Sequence, residues 1–480
     1  MNITSLAKSP PTRVRYRVLG FACALSMITY LDRVCMGSAV RDIVDAFGLR
    51  TEADLNLVLT AFTFAYAAFE VPSGWLGDVY GPRRTLIRIV LIWSTFTALT
   101  GSVTAGGFLF LSGMATLTIV RFFFGLGEAG AYPNITRALH NWFPRNERGW
   151  SQGMVWMSGR FMGGITPVVW LLLVDKGLMS WRWAFWIFGL LGLIWCSGFA
   201  FWFYDRPEQD PSTNDSEREL IGRDPEAAAG HARVPWGRFL RSGNLWALCF
   251  MYFCGSYGWY FNITYLPSFI ERQMKIEPQD PLGALYKGGP LLLGSLSCLL
   301  GGSLSDWFIR RTGNRRWGRR LFGLVGHGLC ALCYVVCIFT FTSDAWMFAL
   351  PLSLAAFWND LTMGSAWATC QDIGRRYAAI VAGCMNTIGN LGGAAAVWLT
   401  GEILKYYLNA YAAAHETSAA LLSGAEKNEA QLPGYRLSLI LYTLAYCIAV
   451  LLWLRIDSTT PVVPDEDEAG NSARLSLDRT

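Results

Sequence analysis

Charged side chains are scarce in this sequence: Lys, Arg, Asp and Glu make up 16% of its 480 residues, where a soluble globular chain carries about 25%. Histidine is scarcer still. The four present, His140, His231, His327 and His415, are scattered, so they offer no imidazole cluster for a metal ion or for acid–base chemistry. There is no phosphate-cradling glycine loop with its trailing lysine, and no His-Glu-x-x-His pair. Without a nucleophile–base or metal-ligand cluster, an enzyme, a cofactor and a metal site are not expected, and a membrane enzyme is a remote alternative. The start, "MNITSLAKSPPTRVRYR", lacks the small-residue cleavage site of a signal peptide, so the first apolar run is expected to stay as a helix. Cysteine, by contrast, is plentiful. Nearly all of the twelve fall inside apolar runs, Cys330, Cys333 and Cys337 sharing one, and read as packing residues rather than a disulfide framework.

What fills the sequence is apolar: 53% hydrophobic and 14% aromatic residues. Runs such as 89–120, 321–343 and 377–401 hold no Asp, Glu, Lys or Arg, and no soluble core needs so many of them. A membrane helix takes about 20 apolar residues at 1.5 Å each to cross a ~30 Å hydrocarbon core. Counting runs between polar breaks predicts twelve spans, near 18–40, 55–77, 84–104, 108–132, 150–174, 182–204, 244–268, 286–308, 320–342, 345–366, 376–404 and 434–456. The arginine clusters fall in alternate connections by about three to one, which by the positive-inside rule places both termini in the cytoplasm of a multi-pass protein of the inner (plasma) membrane. The net charge of +5 is spread over short loops and does not suggest nucleic acid. Residues 1–17 and 457–480 read as cytoplasmic tails, and 205–243 as a cytoplasmic linker between two bundles, 18–204 and 244–456. The insert 406–433 reads as another solvated segment, and the chain is expected to act as a monomer.

The halves resemble each other. "GWLGDVYGPRR" follows the second span, with Gly74 and Asp78 four apart and Arg83 and Arg84 next; "GSLSDWFIRR" follows the eighth, with Gly302 and Asp306 again four apart. A repeated six-helix unit is the economical explanation, and such duplications mark transporter folds. The fold expected is therefore all-α and polytopic, two six-helix bundles related by a pseudo-two-fold axis. In the loop motif, glycine permits close helix approach, while the aspartate can cap a neighbouring helix or pair with an arginine. Gly74, Asp78, Arg83, Arg84 and Asp306 are the candidate gating residues.

The apolar spans are interrupted by a few charges, each costing at least ~2.5–3.5 kcal/mol at mid-bilayer. In the first half these include Asp32 and Arg33 in "YLDR", Arg121 and Glu128 in the fourth span, and Arg160 in "SGRFMGG". Arg121 and Glu128, two helical turns apart, share one face, as do Tyr30 and Arg33. Both signs on different helices imply a common polar cavity. Three arginines against two carboxylates leave it one positive charge in surplus, which suits an anion; a guanidinium fork suits a carboxylate. Bound anion and bound proton then favour each other by linkage. Static Asp32–Arg121 and Glu128–Arg33 pairs are the structural alternative, but Arg160 has no evident partner left, which favours a ligand.

Twelve spans, a central linker and "GWLGDVYGPRR" resemble the major facilitator superfamily. Within it, "YLDR", "RFFFGLGEAGAYPN…WFPRNERG" and "MNTIGNLGG" resemble the anion:cation symporters. That resemblance implies that Arg33 takes the substrate carboxylate, helped by the hydroxyls of Tyr30 and Tyr66. It also implies that Asp32 and Glu128 carry protons, and that Arg121 answers to their charge. Three positions depart from the pattern: Arg160 stands where sugar-acid carriers often have glutamine, Val79 where a basic residue is usual after Asp78, and Glu70 where a neutral amide is more common. Asn386 and Asn390, four apart, could bind sugar hydroxyls or tie helices together. Asp360 in "FWNDLTMGSAW" divides between cavity and structural roles, with Ser365 and Trp367 as weaker pore candidates. The function expected is import of an organic anion, such as a sugar acid, with protons; a passive uniporter or exchanger of organic anions is the alternative.

Overall fold

The computed structural model describes residues 9–49, 55–107, 111–222, 234–276, 281–419 and 421–464, and its long elements are all helices. Twelve of these match the expected spans: α1 (Val14–Ser38), α2 (Asn56–Tyr80), α3 (Pro82–Ser102), α4 in two pieces (Gly113–Glu128 and Ala131–Trp142), α5 (Arg148–Trp170), α6 (Trp181–Trp202), α7 (Gly243–Thr264), α8 (Pro281–Thr312), α9 (Arg315–Thr340), α10 in two pieces (Ala345–Leu361 and Met363–Gly374), α11 (Ala378–Ala414) and α12 (Gly424–Arg455). Nine stretches among the described residues are long and apolar enough to cross a membrane, one of them taking in both α10 and α11. The two helices outside those nine are α4, which is broken mid-way, and α7, whose tyrosines and asparagine face a cavity.

Local chemistry sets the boundaries. Gly81, at φ 89°, ends α2, and Pro82 opens α3, where its missing N–H is no loss. The insert 406–433, expected as a solvated segment, is largely helical. Its alanine-rich start continues α11 to Ala414, and a capping box in which Ser423 and Glu426 satisfy each other's backbone N–H begins α12 well before its apolar run. Helix propensity and capping, which hydropathy does not see, extend both helices past their apolar runs.

The pairing of helices repeats between halves. In the first, α1 packs on α5, α2 on α4 and α3 on α6; in the second, α7 packs on α11, α8 on α10 and α9 on α12. The halves then meet along two equivalent seams, α5 with α8 and α2 with α11. Both seams rest on the loop-motif glycine. A Cβ on Gly74 would lie 2.6 Å from the Ala379 carbonyl oxygen of α11, and one on Gly302 would collide with the Gly149 carbonyl of α5. No larger residue allows that approach.

Candidate functional site

At one end of the molecule the seams are fastened by twin carboxylates. Asp78, from α2, accepts the backbone N–H groups of Ala379 (3.1 Å) and Ile380 (2.8 Å) at the start of α11. Asp306, from α8, accepts those of Gly149 (3.1 Å) and Trp150 (2.6 Å) at the start of α5. Each thus caps a helix of the other half, where exposed N–H groups and the helix dipole favour a negative charge. Arg137 stands 3.7 Å from Asp78, and Arg319 2.8 Å from Asp306. Arg319 also reaches Asp372, as does Arg148 at 3.0 Å. Of the other gating candidates, Arg83 does not reach Asp78: its N–H donates to Asp205 at 2.7 Å and its guanidinium to the Ala200 carbonyl, both in its own half. Arg84 is exposed. Arg15 of α1 pairs with Glu147, beside latch residue Arg148, so the start of α1 lies at this latched end.

From mid-depth toward the opposite end runs a cavity of about 490 Å³ between the halves. Tyr30, Arg33, Tyr66, Arg160, Asn386 and Asn390 all line it. Arg33 Nε lies 2.6 Å from Glu128 Oε1, and its guanidinium sits 4.4 Å from the Tyr66 ring centroid. Glu128 closes the first piece of α4, directly before the break at Ala129 and Gly130. Gly130, at φ 85°, has no room for a side chain, because a Cβ would collide with Ser73. The break therefore fixes where the carboxylate ends up. Tyr30 lies against Gly159 and Gly163 of α5.

The structure changes several expectations. Arg160 is not an unpartnered cation: its Nε lies 3.1 Å from Asp360 Oδ2, its Nη2 donates to Oδ1 at 3.3 Å, and it stacks 4.1 Å over Trp259. Asp360 belongs to the other half of the chain, and spacing along a sequence cannot reveal such a partner. Asp32 and Arg121 do not line the cavity. They are 1% and 2% exposed, in a layer behind it. Asp32 accepts a 3.4 Å hydrogen bond from Thr97, while Arg121 packs 4.1 Å over the Phe124 ring. They form no ion pair with each other, and Asp32 Oδ1 and two nitrogens of Arg121 are buried without partners. Asn386 and Asn390 are engaged across the second seam: both donate their amide N–H to Glu70, one to each carboxylate oxygen, and Asn386 also reaches the Tyr66 hydroxyl at 3.4 Å. Glu70, set aside in the sequence as a departure from pattern, thus braces two residues of the cavity wall from behind, itself fully buried and outside the lining. Ser365 and Trp367 are fully buried and do not line the cavity; Trp367 lies directly behind its wall, donating to the Tyr252 hydroxyl at 3.2 Å. Near the open end Lys287 pairs with Glu271 at 2.5 Å. Sequence reading passed over Trp259, His327 and Asn359, which also line the chamber. An aromatic, a lone histidine and an asparagine in apolar helices carry no signal until folding brings them together.

Two pseudo-equivalent bundles around one charged chamber, closed at one end and open at the other, make this a membrane transporter rather than an enzyme. The sequence matches the Major Facilitator Superfamily over residues 22–397, and the chain belongs to that superfamily. Among its relatives, a protein of Cupriavidus necator named "Probable sulfoacetate transporter SauU" is 36% identical over 379 residues, 78% of this chain and 84% of that one. The D-galactonate transporter of Escherichia coli is 27% identical over 430 residues, 86% of this chain and 94% of that one. Among solved structures, the proton:xylose symporter XylE bound to 6-bromo-6-deoxy-D-glucose shares the fold with a TM-score of 0.66 at 14% identity, over 93% of this chain and 98% of that one. A bacterial homologue of the lysosomal transporter Spinster, inward-facing and unoccupied, aligns with a TM-score of 0.60 at 18% identity, over 92% and 97%.

Proposed function

We propose that this chain is a proton-coupled importer of a small organic anion, a sugar acid in the first instance, working by alternating access. The observation that carries the reading is the Arg33–Glu128 pair at the cavity wall. A substrate carboxylate offers Arg33 the same planar geometry that Glu128 now fills. Once displaced, Glu128 is a buried carboxylate without its cation, and a proton is the cheapest way to neutralise it.

Charge balance supports the same conclusion, with a sign opposite to that expected from the sequence. With Glu70 and Asp360 included, four carboxylates (Asp32, Glu70, Glu128, Asp360) face three arginines (Arg33, Arg121, Arg160). If all are ionised the cluster is one charge negative, and a bound anion would make it two. Protonation of the carboxylates removes that repulsion, so anion and proton bind better together than apart. The arginine-rich connections lie at the latched end, which the positive-inside rule assigns to the cytoplasm. The cavity then faces outward, the state in which an importer loads its substrate. The relatives carry sulfoacetate in one case and D-galactonate in the other by their names, and both compounds are carboxylates.

The test uses purified protein in proteoliposomes with D-galactonate as the probe. An inward proton gradient is expected to drive uptake above the external concentration. Glu128→Gln is expected to abolish that accumulation while retaining exchange of internal for external anion. Uptake that runs only downhill in the wild type would instead make the chain a uniporter or exchanger.

A further inference from the structure

We propose that His327 and Asn359 form a hydroxyl-binding subsite on the second half of the cavity, so that the transported anion carries a neutral hydroxylated tail rather than a second acidic group. This rests on the anion reading above and adds the chemistry of the substrate's other end.

Hydrogen-bond bookkeeping fixes the polarity of both residues. The Trp453 indole, which can only donate, gives its Nε1–H to His327 Nδ1 at 3.1 Å. His327 Nδ1 is therefore an acceptor, and in the neutral ring the proton sits on Nε2. Among the described residues Nε2 has a single side-chain hydrogen-bond contact, with Thr362 at 3.4 Å, whose own hydroxyl proton is directed to the Asn359 backbone carbonyl at 2.8 Å. At that distance His327 Nε2–H is a donor only weakly engaged. Asn359 gives the complementary group. Its Nδ2 donates to Asp360 Oδ1 at 3.0 Å, and since a carboxylate only accepts, this contact fixes the amide orientation. Asn359 Oδ1 is left buried and without a partner, in a side chain 1% exposed.

Both atoms converge on one point. A Cβ built on Gly255 of α7 would lie 3.3 Å from His327 Nε2 and 3.6 Å from Asn359 Oδ1. Glycine leaves that space open to the cavity, which all three residues line. A donor and an acceptor side by side match a group that both accepts and donates, as a hydroxyl does. A carboxylate or sulfonate has no proton to give Asn359 and would face the Asp360 charge next to it; an ammonium cannot accept from His327. An unfilled acceptor in such a place penalises any ligand that covers it without bonding it, which is how a site built for hydroxyls rejects analogues that lack them.

The test is calorimetric titration of the full-length protein in nanodiscs with two probes of equal carbon number, D-gluconate and hexanoate. His327→Leu is expected to weaken gluconate about tenfold and to change hexanoate less than twofold, with His327→Gln, which keeps an N–H, recovering part of the loss. Gly255→Ala, which fills the gap with a methyl group, serves as an independent variant and is expected to act in the same direction. Gluconate affinity unchanged in both His327→Leu and Gly255→Ala would overturn the subsite while leaving the anion site standing. Equal losses for both probes would likewise overturn it, since the residues would then act on packing alone. If the wild type binds neither probe nor sulfoacetate, the anion reading itself fails and the subsite with it; binding of sulfoacetate alone overturns the hydroxyl assignment only.

Discussion

Replacing Asp306 by asparagine tests whether the latch sets the conformational equilibrium. The carboxylate accepts two backbone N–H groups of α5, at 3.1 and 2.6 Å, and the Arg319 guanidinium at 2.8 Å. Hydrogen bonds to a charged group contribute about 1.5–3 kcal/mol each, and a helix N-terminus adds up to ~2 kcal/mol when partly buried. Asparagine keeps one acceptor oxygen but loses the charge and turns an amide toward a donor. Arg319 retains Asp372 at 3.3 Å, so it is not stranded, and the loss stays below that of a fully orphaned buried ion. A cost of about 3 kcal/mol to the latched form follows, or roughly 100-fold in the latched-to-open ratio. Spin labels at Arg84 and Arg311, both exposed at the latched end on opposite halves, read this by pulsed dipolar spectroscopy in a background with the exposed Cys447 replaced. The wild type is expected to show one short distance, and Asp306→Asn a second, longer population of comparable size. Asp78→Asn is expected to do less, because its cation, Arg137, stands off at 3.7 Å. A distance distribution unchanged by Asp306→Asn would refute the argument, since the energy holding the halves together would then lie elsewhere.

Arg33→Ala is expected to weaken carboxylate binding more than 100-fold, the scale of losing a charge-assisted pair of hydrogen bonds; a titration showing retained affinity would remove Arg33 from the binding site. Glu70→Gln keeps the links to Asn386 and Asn390 but deletes one negative charge. For a charge ~10 Å from the bound anion at an effective dielectric near 20, affinity should tighten about tenfold. An unaltered affinity would show that Glu70 is outside the electrostatic cluster. The linker offers a pH test outside the membrane. Burial alone would raise Glu217, but hydrogen bonds from the Thr12 hydroxyl, the Val14 and Arg15 backbone N–H groups and the Arg15 guanidinium hold it below the usual glutamate range. The docking of the linker helix (Asp215–Ile221) on the start of α1 is thus fully supported above the ordinary glutamate value near ~4.3 and is lost as pH falls through the lower folded value. Limited proteolysis should cut near residue 217 faster at pH 3.5 than at pH 7, and Glu217→Ala should be cut rapidly at both; equal rates for wild type at the two pH values would contradict this.

The sequence by itself determined the class of molecule. Twelve apolar runs leave no stable place for the chain except a bilayer, because only there does burying so much apolar surface carry no penalty of exposure. The duplicated Gly-x-x-x-Asp loop announced two related halves, and scarce charges in apolar helices marked Arg33, Glu128 and Arg160 as worth watching, since their cost at depth demands a reason. Which charge meets which was decided only by tertiary structure. Arg160 finds Asp360, Glu70 finds Asn386 and Asn390, and Asp78 and Asp306 cap helices of the opposite half. These partners lie more than 150 residues apart, and helical periodicity relates only neighbours within a few turns. The same limit hid the sealing of Asp32 and Arg121 behind the cavity wall: a heptad places two side chains on one face of a helix, but which neighbour covers that face is set by the packing of the bundle around it.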